Sequence, residues 1–223
     1  YELSWLNSKG KPTVAIAEIF FDVDSENIVE SKSLKLYLNS LNQERFANSK
    51  AVAEVIANDL SAASKSQVRI AIHGLESRTQ RTEYRRDGKL IDSLDIEISS
   101  QTPDESLLKN DSDLVFDEML LTDLFRSNCP VTGAPDWASV LIRYTGMKIN
   151  ESQLLHYLCS FRHHQGYNEE CAERIFRDIM LRCMPDELTV SMNYLRRGGI
   201  EINVYRSSKS LSASELEPRL IRQ

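Results

Sequence analysis

The order in which two kinds of hydrophobic spacing follow each other constrains the fold of this chain more than any other feature. Segments rich in Val, Ile and Phe predict strands, while apolar residues three and four positions apart, such as Leu34, Leu38 and Leu41, predict amphipathic helices. Both halves of the chain have the order strand, strand, helix, helix, strand, strand. This repeated order predicts an α+β fold of two modules, each an antiparallel sheet with two helices on one face.

The same spacing gives the bounds of the predicted elements. Predicted strands cover residues 1–6, 13–22, 67–73, 94–98, 114–125, 138–144, 188–194 and 200–205. Predicted helices cover residues 33–46, 51–63, 151–162 and 169–184, and Ser49 is the predicted cap of the second. A polar run from Thr102 to Asp113 offers little to bury, so we place a boundary there. The predicted organisation is a first module over 1–103, a second over 113–207 and a C-terminal tail over 208–223.

Composition excludes several classes of protein. Of the 223 residues, 41% are hydrophobic and 27% charged, as in a globular protein, and no apolar run approaches the roughly 20 residues of a membrane helix. The net charge of -6 argues against binding the phosphate backbone of a nucleic acid, although local basic clusters still suit a small anionic ligand. We therefore expect neither a membrane protein nor a nucleic-acid-binding protein.

Cysteine usage indicates a compartment. Cys129, Cys159, Cys171 and Cys183 form no CxxC pair, and no secretion signal precedes them. A reduced, cytoplasmic compartment is the simplest inference. The chain begins at Tyr1, inside a predicted strand and without an initiator methionine, so we expect a fragment.

The segment Ser127–Trp137 places a thiol and a carboxylate on one tight loop. Its two prolines and one glycine exclude a helix or a central strand between Cys129 and Asp136, and such stiff connectors often carry function. This suggests covalent chemistry at Cys129 with Asp136 moving protons. The alternative is a turn with a buried cysteine.

Two basic clusters are the candidates for binding an anionic ligand. Neither a GxGxxG nor a GxxxxGK[ST] motif occurs, so any nucleotide must be held by other means. One cluster is Lys32 and Lys35 at the start of the first helix, and the other is 196–198 (Arg-Arg-Gly) in the last hairpin turn. The alternatives are a solvated surface and, for Ser31 or Ser33, a simple N-cap.

A metal site is a further alternative. His156, Cys159 and His163 are spaced to share one face of a helix, which suits three metal ligands. However, Leu155 and Leu158 share much of the inner surface of that helix, which favours Cys159 as a core residue and the histidines as its rim.

Taken together, four motifs resemble those of the 7-cyano-7-deazaguanine reductases, the NADPH-dependent nitrile reductases of queuosine biosynthesis. The motifs are Glu30–Tyr37, the Cys129–Asp136 loop with Trp137, Ser160-Phe161-Arg162 with Glu169, and Arg196-Arg197-Gly198-Gly199. The resemblance runs from Tyr1 to about Ser207 and is to the longer, two-module type. It implies tandem tunnelling-fold modules, a homodimer in the cytoplasm, and no direct contact with nucleic acid because the substrate is a free base.

The resemblance also implies a role for each matching residue. Cys129 is the implied nucleophile, giving a covalent thioimide with the nitrile carbon, and Asp136 is the implied proton donor to the nitrogen. Reduction to the amine then uses two NADPH. The implied contacts of the deazaguanine are Val29, Glu30, Ser31, Asn168 and Glu169, and those of NADPH are Ser31, Lys32, Arg197 and Gly198.

Asn168 departs from the family pattern, which usually has histidine just before the substrate-binding glutamate. An amide forms hydrogen bonds but does not shuttle a proton near neutral pH. We therefore expect substrate binding to survive and turnover to fall.

Two rival functions remain open at this point. One is a zinc-dependent cyclohydrolase or pterin enzyme on the same fold, which requires metal at His156, Cys159 or His163. The other is a non-catalytic module that binds a purine-like ligand. Cys129 discriminates against the second, since a pure binder does not need a nucleophile.

Overall fold

The computed structural model describes residues 1–75, 82–83, 87–211, 219–220 and 223. Most of the predicted polar stretch from Glu76 to Lys89 and of the predicted tail lies outside the described residues. Backbone contacts divide the chain into two compact units. One comprises Tyr1–Gln80 with the turn Arg196–Ile200, and the other comprises Arg81–Leu195 with Glu201–Gln223.

The first unit is built on a three-stranded antiparallel sheet. Its elements are β1 (Glu2–Leu6), β2 (Pro12–Phe20), α1 (Ser31–Ser40), α2 (Ser49–Ser64) and β3 (Arg69–His73). The central strand, β2, is antiparallel to both β1 and β3. A short 3-10 helix follows α1 directly.

Each helix of the first unit buries one stripe of apolar side chains. α1 buries Leu34 and Leu38, one turn apart, and α2 buries Val52, Ile56 and Leu60. α1 contacts β1, and α2 contacts β3. Buried positions alternate along β1, as expected for a strand with one covered face. The helical and strand periodicities that the sequence shows are therefore confirmed in this unit.

Both predicted ends of the first helix and the predicted cap of the second helix are wrong. α1 begins at Ser31 and ends at Ser40, whereas the spacing predicts a helix over 33–46. α2 is capped by Asn48, whose side chain accepts a hydrogen bond from the Ala51 amide at 3.0 Å, and not by Ser49.

The predicted strand over 94–98 is also wrong. Its backbone is irregular, and Leu94 and Ile96 pack instead against the buried core of the second unit. Alternating apolar residues there serve packing without sheet pairing, so the first sheet has three strands among the described residues.

The second unit contains a five-stranded sheet in the order β5-β6-β7-β8-β9. Its elements are β4 (Thr82–Glu83), β5 (Lys89–Leu90), β6 (Asn110–Asn128), β7 (Pro135–Ile149), α3 (Glu151–Cys159), α4 (Asn168–Cys183), β8 (Glu187–Tyr194), β9 (Asn203–Ser207) and β10 (Arg219–Leu220). The strands from β6 to β9 are antiparallel neighbours, while β5 runs parallel to β6 and β10 parallel to β4. The predicted order strand, strand, helix, helix, strand, strand is thus present here, and the predicted α+β class with antiparallel sheets is confirmed.

The core of the second unit lies between its sheet and the two helices. Leu154 and Leu158 of α3 and Ile175 and Ile179 of α4 are buried in one cluster with Phe125 of β6. This packing fixes where the first turn of α4 lies on the sheet. No helix within the described residues is long and apolar enough to cross a membrane.

The α3 prediction needs one correction. The sequence predicts a single α-helix to Arg162, but α3 ends at Cys159 and a 3-10 helix over Ser160–His163 follows. The Ser160 hydroxyl donates to the Tyr157 carbonyl at 2.6 Å, which competes with regular helix continuation.

Candidate active site

β6 and β7 form an antiparallel hairpin whose closing loop carries Cys129. Ser127 pairs with Asp136 across the two strands. Within the loop, the Cys129 amide donates to the Ala134 carbonyl at 2.9 Å, and the Gly133 amide donates to the Cys129 carbonyl at 2.9 Å. Gly133 has a φ of +67°, which glycine adopts without steric cost. These bonds fix the backbone of Cys129 at the end of β6.

The environment of the Cys129 thiol favours the thiolate. Partial burial raises the pKa of the thiol and the charge of Asp136 adds to this, but hydrogen bonds outweigh both effects. The donors are the hydroxyl and amide of Thr132 and the amide of Val131. The pKa of Cys129 therefore lies below its ordinary value, which increases the reactive thiolate fraction near neutral pH.

The other three cysteines have the opposite environment. Burial raises the pKa of Cys159, and it raises the pKa values of Cys171 and Cys183 to about 11. All four cysteines are free thiols. Cys129 is therefore the candidate nucleophile.

Asp136 lies at the start of β7 and is only 8% exposed. Its negative charge acts on Cys129, and it also adds to the burial that raises the pKa values of Cys171 and Tyr194. The residues predicted as nucleophile and proton donor are thus neighbours at the base of one loop. A carboxyl group and a thiol at this proximity can share one proton.

The connector between α3 and α4 is fixed against the end of β6. The Asn128 amide donates to the His164 carbonyl at 2.8 Å, and the Asn128 carbonyl accepts from the Gly166 amide at 3.2 Å. The Asn128 side chain donates to the Arg162 carbonyl at 3.2 Å. Because α4 begins at Asn168, these bonds link the residue before the nucleophile to the start of α4.

The first turn of α4 carries the predicted substrate residues Asn168 and Glu169. The Tyr194 hydroxyl, at the end of β8, donates to the Asn168 carbonyl at 3.3 Å. Burial raises the pKa of Glu169, and the hydrogen bond from its own amide offsets this only in part. The charges of Glu169 and Asp136 both add to the burial that raises the pKa of Tyr194, so these three groups form one cluster.

Trp137, which follows Asp136 on β7, carries two guanidinium groups near its ring. Arg126 lies 5.5 Å and Arg162 5.6 Å from the ring centroid. Arg126 also donates to the Asn128 side-chain oxygen at 3.1 Å. The Ser160-Phe161-Arg162 motif therefore meets the loop motif through Trp137.

In the first unit, Glu30 caps α1. Its carboxylate accepts hydrogen bonds from the amides of Lys32 and Ser33, each at 2.8 Å, and from the Ser33 hydroxyl at 3.0 Å. Burial raises the pKa of Glu30, but these bonds lower it further, to below its ordinary value. A carboxylate has about four acceptor positions, so one remains for a ligand. Val29 and Ser31 beside it are half-buried.

Glu30 is therefore the N-cap, where the sequence suggests Ser31 or Ser33 as the alternative to a binding role. The amides of Lys32 and Ser33 are already occupied by it. An anion at this end of α1 would be held chiefly by lysine side chains.

The turn Arg196–Ile200 belongs to the same unit as α1. Gly198 has a φ of +59°, and a Cβ at this position would lie 3.3 Å from Cδ of Lys35 and 3.5 Å from its Nζ. The Arg197 amide donates to the Ile200 carbonyl at 3.0 Å, which closes the turn. The structure thus brings both basic clusters together, and Lys35 lies against the backbone of the turn.

Two of the three alternative metal ligands have environments that disfavour metal binding. Nε2 of His156 accepts a hydrogen bond from the Ser99 amide at 3.1 Å. Burial raises the pKa of Cys159, which disfavours the thiolate that a metal requires. Among the residues that the structure describes, no group of three or more His, Cys, Asp or Glu side chains is arranged to hold a metal ion.

Two residues of the site, Thr132 and Tyr194, are not among the site residues predicted from the sequence. Thr132 stands three residues after Cys129, a spacing at which a hydroxyl can bond back to the start of a turn, and this is a usable signal. Tyr194 occupies a regular buried position of β8, and alternation there predicts only a strand. Its contact with Asn168 depends on tertiary packing.

Comparisons with known proteins give matches over both parts of the chain. Residues 1–72 match the family described as "Nitrile reductase, 7-cyano-7-deazaguanine-reductase N-term". Residues 135–213 match the family described as "QueF-like protein".

Several curated relatives are similar over nearly the whole chain, and each is named NADPH-dependent 7-cyano-7-deazaguanine reductase. The protein from Desulfotalea psychrophila is 49% identical over 210 residues, which are 93% of this chain and 76% of that protein. The protein from Azoarcus sp. strain BH72 is 49% identical over 93% of this chain and 74% of its own length. The protein from Legionella pneumophila strain Corby is 49% identical over 100% of this chain and 78% of its own length.

One solved structure is also similar. It is the apo form of the archaeosine synthase QueF-Like, with a TM-score of 0.40 and 21% identity over 46% of this chain and 99% of that chain.

Proposed function

The chain belongs to the NADPH-dependent 7-cyano-7-deazaguanine reductase family, and from this membership we propose that it reduces the nitrile of 7-cyano-7-deazaguanine to the amine 7-aminomethyl-7-deazaguanine. Each substrate consumes two NADPH. The product serves queuosine biosynthesis, so the reaction belongs to tRNA modification in the cytoplasm. The substrate is the free base, and the enzyme acts as a homodimer.

Recognition of the base falls to two carboxylates and their neighbours. Glu169 accepts from the ring N–H and the exocyclic amine, a pairing that one carboxylate can make with both oxygens. Glu30 contributes its remaining acceptor position, and Val29 and Ser31 lie beside it in the chain. The Asn168 side chain adds a hydrogen bond but no proton transfer.

Cys129 and Asp136 carry the covalent step. The Cys129 thiolate adds to the nitrile carbon, one π bond of the nitrile breaks, and the Asp136 carboxyl gives its proton to the nitrogen, forming a thioimide. Later release of the thiolate leaves an imine that water would hydrolyse, so the site has to exclude water until reduction is complete.

The residues proposed to hold NADPH suit a phosphate-bearing ligand. Lys32, Arg197 and the neighbouring Lys35 offer cations on one unit, and Gly198 lets the turn approach Lys35 closely because it has no Cβ. Ser31 adds a hydroxyl at the start of α1. When bound, NADPH supplies the hydride for each reduction.

One observation supports this function best. Of the four thiols, Cys129 is the one whose pKa is lowered, and the buried Asp136 lies beside it on the next strand. A purely structural turn needs neither an acidic thiol nor a proton donor next to it, whereas nitrile addition needs both.

The test is to mix the protein with 7-cyano-7-deazaguanine without NADPH and to measure its intact mass. We expect an increase equal to the mass of one substrate. The adduct should be absent in Cys129→Ala and retained in Cys159→Ala, a matched loss of another half-buried thiol. An unmodified wild-type protein would show that the nucleophile assignment is wrong.

A further inference from the structure

The Cys129 loop has the geometry of a helix N-terminus reduced to one turn. The Gly133 amide donates to the Cys129 carbonyl, a bond that spans four residues as in an α-helix, so Cys129 occupies the capping position. A side chain at this position faces the amides two and three residues further on. Here these are the amides of Val131 and Thr132, both of which donate to the sulfur.

Besides its amide, Thr132 offers its hydroxyl as a second donor to the Cys129 sulfur. The Ala134 amide donates to the Thr132 hydroxyl oxygen at 3.3 Å. This bond occupies an acceptor position of the hydroxyl and leaves its hydrogen available to the Cys129 sulfur, to which the hydroxyl is bonded.

We propose that Thr132 is a positioning residue for the nucleophile, whose hydroxyl holds the Cys129 thiolate in place and compensates for the negative charge of Asp136 beside it. The inference rests on the proposed function, since it assigns Thr132 a role in thiolate addition to the nitrile. Thr132 itself takes no part in bond making. It stabilises the anion that forms when the thiol loses its proton and before the carbon–sulfur bond forms.

The balance of groups around the sulfur explains why this donor is needed. Asp136 faces the thiol from β7, and its charge opposes ionisation, as does partial burial. Hydrogen bonds to an anion are stronger than bonds to a neutral group. The donors from the loop therefore shift the balance towards the thiolate of Cys129. Since the amides remain in every variant, the Thr132 hydroxyl is the part that substitution can test.

The experiment compares Thr132→Val, which is isosteric but has no hydroxyl, with Thr132→Ser, which keeps it. Carbamidomethylation of Cys129 by iodoacetamide is followed over a range of pH by peptide mass spectrometry, which separates Cys129 from the other cysteines. We expect the apparent pKa of Cys129 to rise by about one unit in Thr132→Val, because one hydrogen bond to the thiolate is lost. Thr132→Ser should titrate within about 0.3 units of wild type.

Two results would overturn the proposal. One is a Thr132→Val titration that coincides with wild type. The other, which needs no variant and so holds even if Thr132→Val does not fold, is a wild-type pKa for Cys129 at or above the ordinary value of about 8.5. Alkylation requires no deazaguanine, so a shifted titration together with no nitrile adduct would reject the proposed function while keeping the role of Thr132. An adduct together with an unshifted titration would support the proposed function and reject the role of Thr132.

Discussion

Glu30 and Glu169, the two carboxylates proposed to contact the base, have opposite electrostatic environments. The pKa of Glu30 is lowered by the bonds that cap α1, despite its partial burial, whereas burial raises the pKa of Glu169. Glu30 therefore stays ionised over the neutral and weakly acidic range. Glu169 takes up a proton at a higher pH than an ordinary glutamate, and its two oxygens then no longer both accept from the base.

We expect substrate affinity to fall as the pH falls through the raised pKa of Glu169. Below that pKa, affinity should drop by about tenfold per pH unit, because only the ionised form binds. Calorimetric titration of Cys129→Ala with 7-cyano-7-deazaguanine between about pH 5 and pH 8 measures this. Glu169→Gln in the same background is the control and should bind weakly with a flat profile. A flat profile with Glu169 present would contradict the assignment.

We expect Asn168 to limit turnover more than binding, because an amide does not move a proton near neutral pH. We expect Asn168→His to raise kcat by at least about tenfold, the lower end of what proton transfer contributes, with substrate affinity within about twofold. NADPH absorbance under saturating conditions gives kcat. Asn168→Gln is the matched control, since it keeps an amide and should gain nothing. An unchanged kcat in Asn168→His would show that the proton comes from another group.

One hydroxyl of β8 bonds to the first turn of α4, in addition to the core packing between the two elements. Tyr194→Phe removes the donor to the Asn168 carbonyl and leaves the ring in the core. We expect a loss of about 1 kcal/mol in the free energy of unfolding, measured in urea, and weaker binding of the deazaguanine because the first turn of α4 is released. Buried Tyr157 provides the control, since its hydroxyl donates to Asp178 further along α4 at 2.7 Å. Tyr157→Phe should be destabilised similarly yet bind substrate normally, and equal binding losses in both would contradict the positional argument.

The turn that contains Gly198 allows a test of the proposed NADPH site. Gly198→Ala forces alanine to a φ of +59° and places its Cβ 3.3 Å from Cδ of Lys35. Gly10→Ala introduces comparable strain in another turn. Gly10 has a φ of +81°, and a Cβ at this position would lie 3.2 Å from the flexible end of Arg45. Both should lose roughly 1 kcal/mol of stability, while only Gly198→Ala should raise the Kd for NADPH. Fluorescence titration with NADPH distinguishes them, and equal affinities would remove Gly198 from the proposed cofactor site.

These elements also show what the sequence predicts well. Strands with one covered face and long amphipathic helices can be recognised in the sequence, because burial of one face spaces the apolar residues with the period of a strand or of a helix. The hairpin around Cys129 is also predicted, but β7 begins at Pro135 and includes Asp136, whereas the prolines predict a loop up to Asp136 and a strand from residue 138. Residues 94–98 alternate like a strand, yet their apolar side chains only fill a core. Local spacing cannot distinguish packing from hydrogen-bonded pairing.

The error in the predicted start of α1 has a related cause. The resemblance implies that Glu30 contacts the substrate, and its carboxylate also bonds to the helix that follows it, so that α1 begins at Ser31. The contact of Tyr194 with the start of α4 joins residues far apart in the chain, so no local pattern contains it. The proximity of Cys129 and Asp136 is therefore predictable from the sequence, whereas positioning by a distant strand is not.

At the scale of the whole molecule, the proposed machinery is divided between the two units. The first unit holds the cluster of Lys32, Lys35 and Arg197, and the second holds Cys129 and Asp136. A complete reaction needs both a hydride donor and a nucleophile, so the balance of electrons over a full turnover tests the assignment of both.

We expect two NADPH to be oxidised for each 7-cyano-7-deazaguanine consumed, because converting a nitrile to a primary amine adds four electrons and each hydride carries two. Absorbance gives the NADPH consumed, and mass spectrometry gives the amine formed. Cys129→Ala should oxidise no NADPH with this substrate, while Cys159→Ala should keep the ratio of two. If reduction stopped at the imine, water would release an aldehyde and ammonia, and the ratio would be one. A ratio of one, with aldehyde as the product, would refute the proposal that the site retains the imine and keeps water away from it.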